Sequence, residues 1–216
     1  CVAPCGGVII QPSLNSFGPQ IVAGYTAASQ ITGVFGQIYA AMGQAMATYV
    51  AQNYGAGLIH RVRAGVRKTI ILGVSLSLVL TTLAILGSDF MVTLYMGHAT
   101  PELLGYAKTN MIFITMGWTL LVLILVYRQA LQALNSRVLP IFASGMELVM
   151  RSIAVIFLIP RFGYPALCFS LFMAWIGTAS PLVLGYFPLM RRLEAQNPQE
   201  DPAPVAETMM EEVSEC

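Results

Sequence analysis

The first sixty residues contain no Asp, Glu, Lys or Arg. Soluble chains are about a quarter charged, so an uncharged run of that length excludes a fold surrounded by water. The scarcity continues: residues 69–88, 110–127 and 162–190 are also charge-free, and the whole chain is 10% charged and 56% hydrophobic. Eleven Lys and Arg, scattered, are too few for a nucleic-acid patch. Histidine is nearly absent. His60 and His98 fall in connecting segments expected on opposite sides of a membrane, so they cannot share a metal. Cysteine is sparse as well. Cys1, Cys5, Cys168 and Cys216 show neither metal-site pairing nor a disulfide framework, and Cys216 ends no prenylation signal. An N-terminal Cys marks some lipidated proteins, but no signal segment accompanies it here. There is no Gly-rich phosphate loop, no nucleophile motif and no cluster of His, Asp or Ser. No catalytic residue, metal or cofactor is therefore expected, and the chain does not read as an enzyme.

What is present is a series of long apolar blocks with charged punctuation, the pattern of a polytopic membrane protein. A helical span needs about 20 apolar residues. The blocks give one partial span, residues 1–14, and five full ones: 20–52, 69–86, 107–126, 140–159 and 164–189. The expected class is an all-α membrane protein of about six transmembrane helices, the first truncated. Two parts follow: a transmembrane body over 1–192 and an acidic, disordered tail over 193–216. The body carries all eleven basic residues and three acids; the tail holds the other seven acids. The chain starts with Cys rather than Met, inside an apolar block, and so reads as a piece of a longer protein.

The connections set an orientation. Residues 53–68 hold Arg61, Arg63, Arg67 and Lys68 and no acid, whereas 87–102 hold Asp89 and Glu102 and no Lys or Arg. Arg128 and Arg137 mark the next connection, Arg161 the one after, and Arg191 and Arg192 close the last span. Rich and poor connections alternate, which places the basic ones and the C-terminus in the cytoplasm.

Two constellations stand out. In the second block Thr26, Gln30, Gly33, Gln37, Ala40, Gln44, Thr48 and Ala51 recur at spacings of three and four, which sets them on one helical stripe. Gln30, Gln37 and Gln44 are a heptad apart. An amide facing hydrocarbon goes unsatisfied at a cost of several kcal/mol, so the stripe must face protein or water. It either glues helices together or lines a wet cavity. The aromatic residues Tyr25, Phe35, Tyr39 and Trp118 are candidates to share that cavity, offering apolar or cation–π contact. The second constellation is charged. The short turn near residues 136–140 makes the fourth and fifth spans a hairpin, with Arg128 and Glu147 at similar depth. Glu147 can pair with Arg151 one turn on, or with Arg128 across the hairpin. A buried ionisable group in a membrane is either functional or a clamp, and a Glu between two Arg favours the clamp.

Several segments resemble the multidrug and toxic compound extrusion (MATE) family. They are Ile10-Gln11-Pro12-Ser13-Leu14-Asn15-Ser16-Phe17-Gly18, Val22-Ala23-Gly24-Tyr25-Thr26-Ala27-Ala28, and Ala45-Met46-Ala47-Thr48-Tyr49-Val50-Ala51-Gln52-Asn53-Tyr54-Gly55-Ala56-Gly57. Tyr127-Arg128-Gln129-Ala130-Leu131-Gln132 and Gly145-Met146-Glu147-Leu148-Val149-Met150-Arg151 agree further along. The resemblance runs to Arg192 and implies the second of two six-helix lobes. It further implies a cation-coupled antiporter, using protons or sodium, that exports amphipathic and often cationic organic compounds. The setting would be the lipid bilayer of a bacterial cytoplasmic membrane, with a missing N-terminal lobe as partner and no nucleic acid. Some members carry an acidic cation-site residue in the first and fourth helices of this lobe. Residues 2–14 have none, and the fourth reads Met116-Gly117-Trp118-Thr119-Leu120-Leu121-Val122 where that acid falls. The coupling ion is then expected in the absent lobe. Two alternatives stay open: a lipid-linked oligosaccharide flippase of the same superfamily, and a non-transporting half-protein.

Overall fold

The computed structural model describes residues 10–97 and 100–197, and among these it contains helices and turns but no strand. Most of the tail expected over 193–216, and most of the stub over 1–14, lie outside the described residues. Residues 10–15 form a helical end. The chain then breaks at Gly18, whose φ of +95° suits a residue without Cβ. Pro19 follows at the first position of α1 (Pro19–Gly55), where its missing N–H costs nothing.

The link between α1 and α2 (Ile59–Leu86) is short, turning on Gly57 at φ +74°. The basic segment expected as part of a loop over 53–68 is thus mostly helical. Arg61, Arg63, Arg67 and Lys68 occupy the first turns of α2. Charge there marks the membrane interface and not an interruption of the helix. The acidic connection also folds, into the short α3 (Ser88–Met96). Thr100 then caps α4 (Pro101–Met116), its Oγ1 accepting the Leu103 N–H, with Pro101 and Glu102 in the first turn.

The fourth span expected over 107–126 is not one straight helix. It is α4 and α5 (Trp118–Ala133), bent by 44° at Gly117. A Cβ at Gly117 would stand 2.4 Å from the Trp175 ring, so only glycine admits that contact. A bend loosens backbone hydrogen bonds, and a hydroxyl from α2 takes one up while a second ties α2 to a side chain beyond the bend. Thr81 Oγ1 donates to the Thr115 carbonyl at 2.9 Å, and Ser77 meets Thr119 at 3.0 Å.

A turn through Asn135, at φ +60°, leads into α6 (Val138–Ile153). The helix continues through a π turn over Ala154–Leu158 and a last turn to Phe162. Pro160 lacks the N–H that would continue the ladder, and the widened turn precedes it. Gly163 at φ +64° ends the rod, and α7 (Tyr164–Gln196) completes the bundle. α7 runs into the segment expected as tail, where Glu194 pairs with Arg63 of α2 at 3.0 Å.

The core gathers Tyr39, Met46 and Val50 of α1 with Val62 and Val66 of α2, Met111, Trp118 and Leu131 of α4 and α5, and Leu182 of α7. A smaller cluster packs Ile10 and Leu14 against Ile159, Ala166 and Leu167. Outward, Leu72, Leu78, Phe90, Ile141, Phe142, Ile156 and Leu184 stay exposed, the surface of a protein whose solvent is lipid. Among the described residues three helices, or four with the bent pair as one, are long and apolar enough to cross a membrane. α1 is long enough at 37 residues, but its glutamines keep it below that hydropathy. The chain is an all-α, multi-pass membrane protein.

Candidate substrate-facing surface

α1 is split lengthwise by chemistry. Ala27, Ala28, Tyr39, Met46 and Val50 are buried against the rest of the bundle. On the other side Thr26, Gln30, Gly33, Gln37, Gln44, Thr48 and Ala51 are all exposed, with Ala40 half-buried at the edge. The stripe read from the spacing is therefore one continuous open face. Among the described residues no side-chain hydrogen bond reaches Gln30, Gln37 or Gln44, so these amides do not glue α1 to its own bundle. The backbone carbonyl of Gln44 accepts the Thr48 hydroxyl at 3.4 Å, a bond within α1 that leaves the Gln44 amide free. Beside the amides lie Val34, 70% exposed, and Ile38, 41% exposed. The face thus alternates hydrogen-bonding and aliphatic groups, which suits an amphipathic molecule and suits hydrocarbon badly. At its Thr26 end it opens into a cavity of about 570 Å³, shared with Asn15, Val22 and Tyr95.

The aromatic candidates are not on this face. Tyr39 and Trp118 are each 1% exposed, with ring centroids 5.8 Å apart, and Phe35 packs on Trp118 at 5.5 Å. This corrects the expectation for Tyr39 and Trp118. Tyr39 follows Gln37 by two residues, about 200° round the helix, and so points into the core. Tyr25 also turns away, toward the small cluster of Ile10, Leu14 and Leu167.

The charged constellation resolves to one pair. Arg151 Nη2 donates to Glu147 Oε1 at 3.4 Å, with the two side chains only 12% and 17% exposed. Arg128 is not part of it; its Nε and one Nη are buried without a hydrogen-bond partner among the described residues, as is Nε of Arg151. The reason is packing, since α6 leans along α7 and barely touches α5. Arg151 lies about 20 Å along α6 from Val138 and so near mid-span.

Two groups escaped the sequence reading. Asn110 of α4, 1% exposed, donates to the Tyr25 carbonyl at 3.1 Å and to Ser29 Oγ at 3.2 Å, tying α4 to the back of α1. A lone Asn inside an apolar block was the available signal. Lys108 reaches Asp89 at 3.1 Å, clasping α4 to α3. That pair needed the knowledge that the acidic connection folds back.

With this geometry in place, the comparisons decide the family. A family model, MatE, matches residues 1–158. The chain belongs to the MatE family. Comparison with curated proteins finds no match. Among solved structures, the MatE chain is similar to a crystallised proline-to-alanine variant of a MATE protein, with a TM-score of 0.73 and 17% identity over 88% of this chain and 42% of that one. A MATE protein in complex with MaD3S gives a TM-score of 0.73 at 17% identity, covering 88% and 43%. A transporter of the MOP superfamily from Pyrococcus furiosus, described as having a binding pocket of reverse polarity, gives 0.72 at 17%, covering 86% and 41%. The MatE chain therefore shares the fold of these proteins and spans about two-fifths of their length.

Proposed function

We propose that the open face of α1 forms one wall of a substrate pathway in a secondary transporter that works with a second lobe. The observation that carries this is the run of exposed, unpartnered amides at Gln30, Gln37 and Gln44 beside Val34 and Ile38. In lipid those amides are costly; against a wet cavity they are ready to bind. The function is cation-coupled antiport, driven by protons or sodium, exporting amphipathic and often cationic organic compounds across a bacterial cytoplasmic membrane. Alternating access arises as two lobes rock about a midplane cavity. The basic end of the bundle and the C-terminus face the cytoplasm. The coupling ion binds in the other lobe, since the fourth span of this one has no acid near Gly117.

An oligosaccharide-lipid flippase would need cations on this face for an anionic headgroup. The stripe has none, and Arg128 and Arg151 are withdrawn from solvent. The deciding test is Gln37→Ala in the chain joined to its partner lobe. Export should fall, or its drug spectrum change, while membrane expression stays near wild type. Loss of expression together with export would return the stripe to a packing role.

A further inference from the structure

A second concave site lies at the basic end of the bundle. Arg63, Arg67 and Ile71 of α2, Tyr127 of α5, and Tyr186 and Phe187 of α7 enclose a groove of about 400 Å³. Its floor is aromatic, with the Tyr127 and Tyr186 rings 4.9 Å apart. Tyr186 is 3% exposed, yet its hydroxyl has no hydrogen-bond partner among the described residues. A buried hydroxyl left that way forfeits the bonds it would make in water. The rim is cationic. Arg63 is shared with Glu194 but stays largely exposed, and Arg67 is in no ion pair among the described residues.

The groove also opens onto the apolar outer surface. Ile71 and Phe187 are exposed, and Leu78, two turns beyond Ile71 on the same face of α2, extends the apolar wall. Depth fits as well. α2 is about 42 Å long, more than the ~30 Å hydrocarbon core, so its first turns stand among headgroups. Arg67 is about 12 Å from its start, where a long side chain still reaches the interface.

We propose that this groove binds one anionic phospholipid from the leaflet on the basic side. Its phosphate sits on Arg67 and Arg63. An acyl chain lies along Ile71 and Phe187. An ester or headgroup oxygen accepts the Tyr186 hydroxyl. Cationic grooves between membrane helices suit such headgroups, and the apolar exit selects a lipid over a soluble phosphate. The site needs only the membrane fold, so it stands or falls separately from the transport reading.

The test is native mass spectrometry of the 216-residue chain in detergent with equimolar dioleoylphosphatidylglycerol and dioleoylphosphatidylcholine. The glycerol lipid should be retained about ten-fold over the choline lipid, a difference of ~1.4 kcal/mol. Arg63→Ala with Arg67→Ala should bring that ratio near one, and both positions are exposed, so the core is untouched. Arg137→Ala with Arg192→Ala removes the same charge from the same end outside the groove and should leave the ratio unchanged. Tyr186→Phe should lower retention with unaltered thermal melting. Equal retention of the two lipids would overturn the proposal. So would an equal loss in the Arg137/Arg192 variant, or displacement of the lipid by millimolar glycerol 3-phosphate, which would make the site one for a soluble anion.

Discussion

Replacing Glu147 with Gln tests the charged pair of α6. In the folded chain Glu147 holds Arg151 at 3.4 Å with both side chains mostly buried. Gln keeps the shape and an acceptor oxygen but removes the negative charge. Arg151 then keeps its desolvation penalty without its counter-ion, and its Nε already lacks a hydrogen-bond partner among the described residues. Breaking a buried pair from one side costs about 3–5 kcal/mol. The retained acceptor puts the expectation at the low end, about 3 kcal/mol. For a chain of this size that corresponds to a fall in Tm of about 6–12 °C. The assay is thermal unfolding of purified protein in detergent, followed by the two tryptophans. Glu147→Leu with Arg151→Leu should recover most of the loss, because removing both charges also removes the penalty. A Glu147→Gln protein with unchanged Tm refutes the clamp. If it also loses dependence on a sodium or proton gradient, Glu147 is a coupling residue.

Gly117→Ala should destabilise by about 1–3 kcal/mol, because its Cβ would stand 2.4 Å from Trp175. Trp175→Leu in the same chain should relieve most of that in the same melt. Single cysteines at Arg63 and Thr100 should label from opposite sides of a sealed membrane; labelling of both by an impermeant external reagent would overturn the orientation. The isolated chain in liposomes with a sodium or proton gradient should not move a cationic dye, and gradient-dependent movement would show that one lobe suffices.

The helices were legible because lipid admits only helices and closed barrels, and long unbroken apolar blocks fit the helix and not the short alternating strands of a barrel. The stripe of Gln30, Gln37 and Gln44 was legible for the same geometric reason, since spacing alone fixes a face of a helix. That rule also contained the correction for Tyr39, which its offset from Gln37 already placed on the opposite side. The bend at Gly117 was hidden because Met116 and Trp118 are equally apolar, and the ring packed against that glycine, Trp175, is nearly sixty residues on. The choice of Arg151 over Arg128 depended on how α6 leans, which no local pattern encodes. The first turns of α2 were misread because charge was taken for coil, when a helix longer than the bilayer carries its charges on its protruding end.

Biogenesis of this bundle meets the split character of α1 before any ligand does. α1 leaves the ribosome ahead of the helices that cover its buried side, and by itself it is too polar to be held firmly by lipid. α2 is the most hydropathic span and is joined to α1 by a tight link at Gly57. With so little slack the two must enter the bilayer as a hairpin, so insertion of the glutamine-bearing helix is driven by the helix that follows it. Lengthening that link would uncouple the two, and its effect would fall on how much protein reaches the membrane before it fell on what the protein does there.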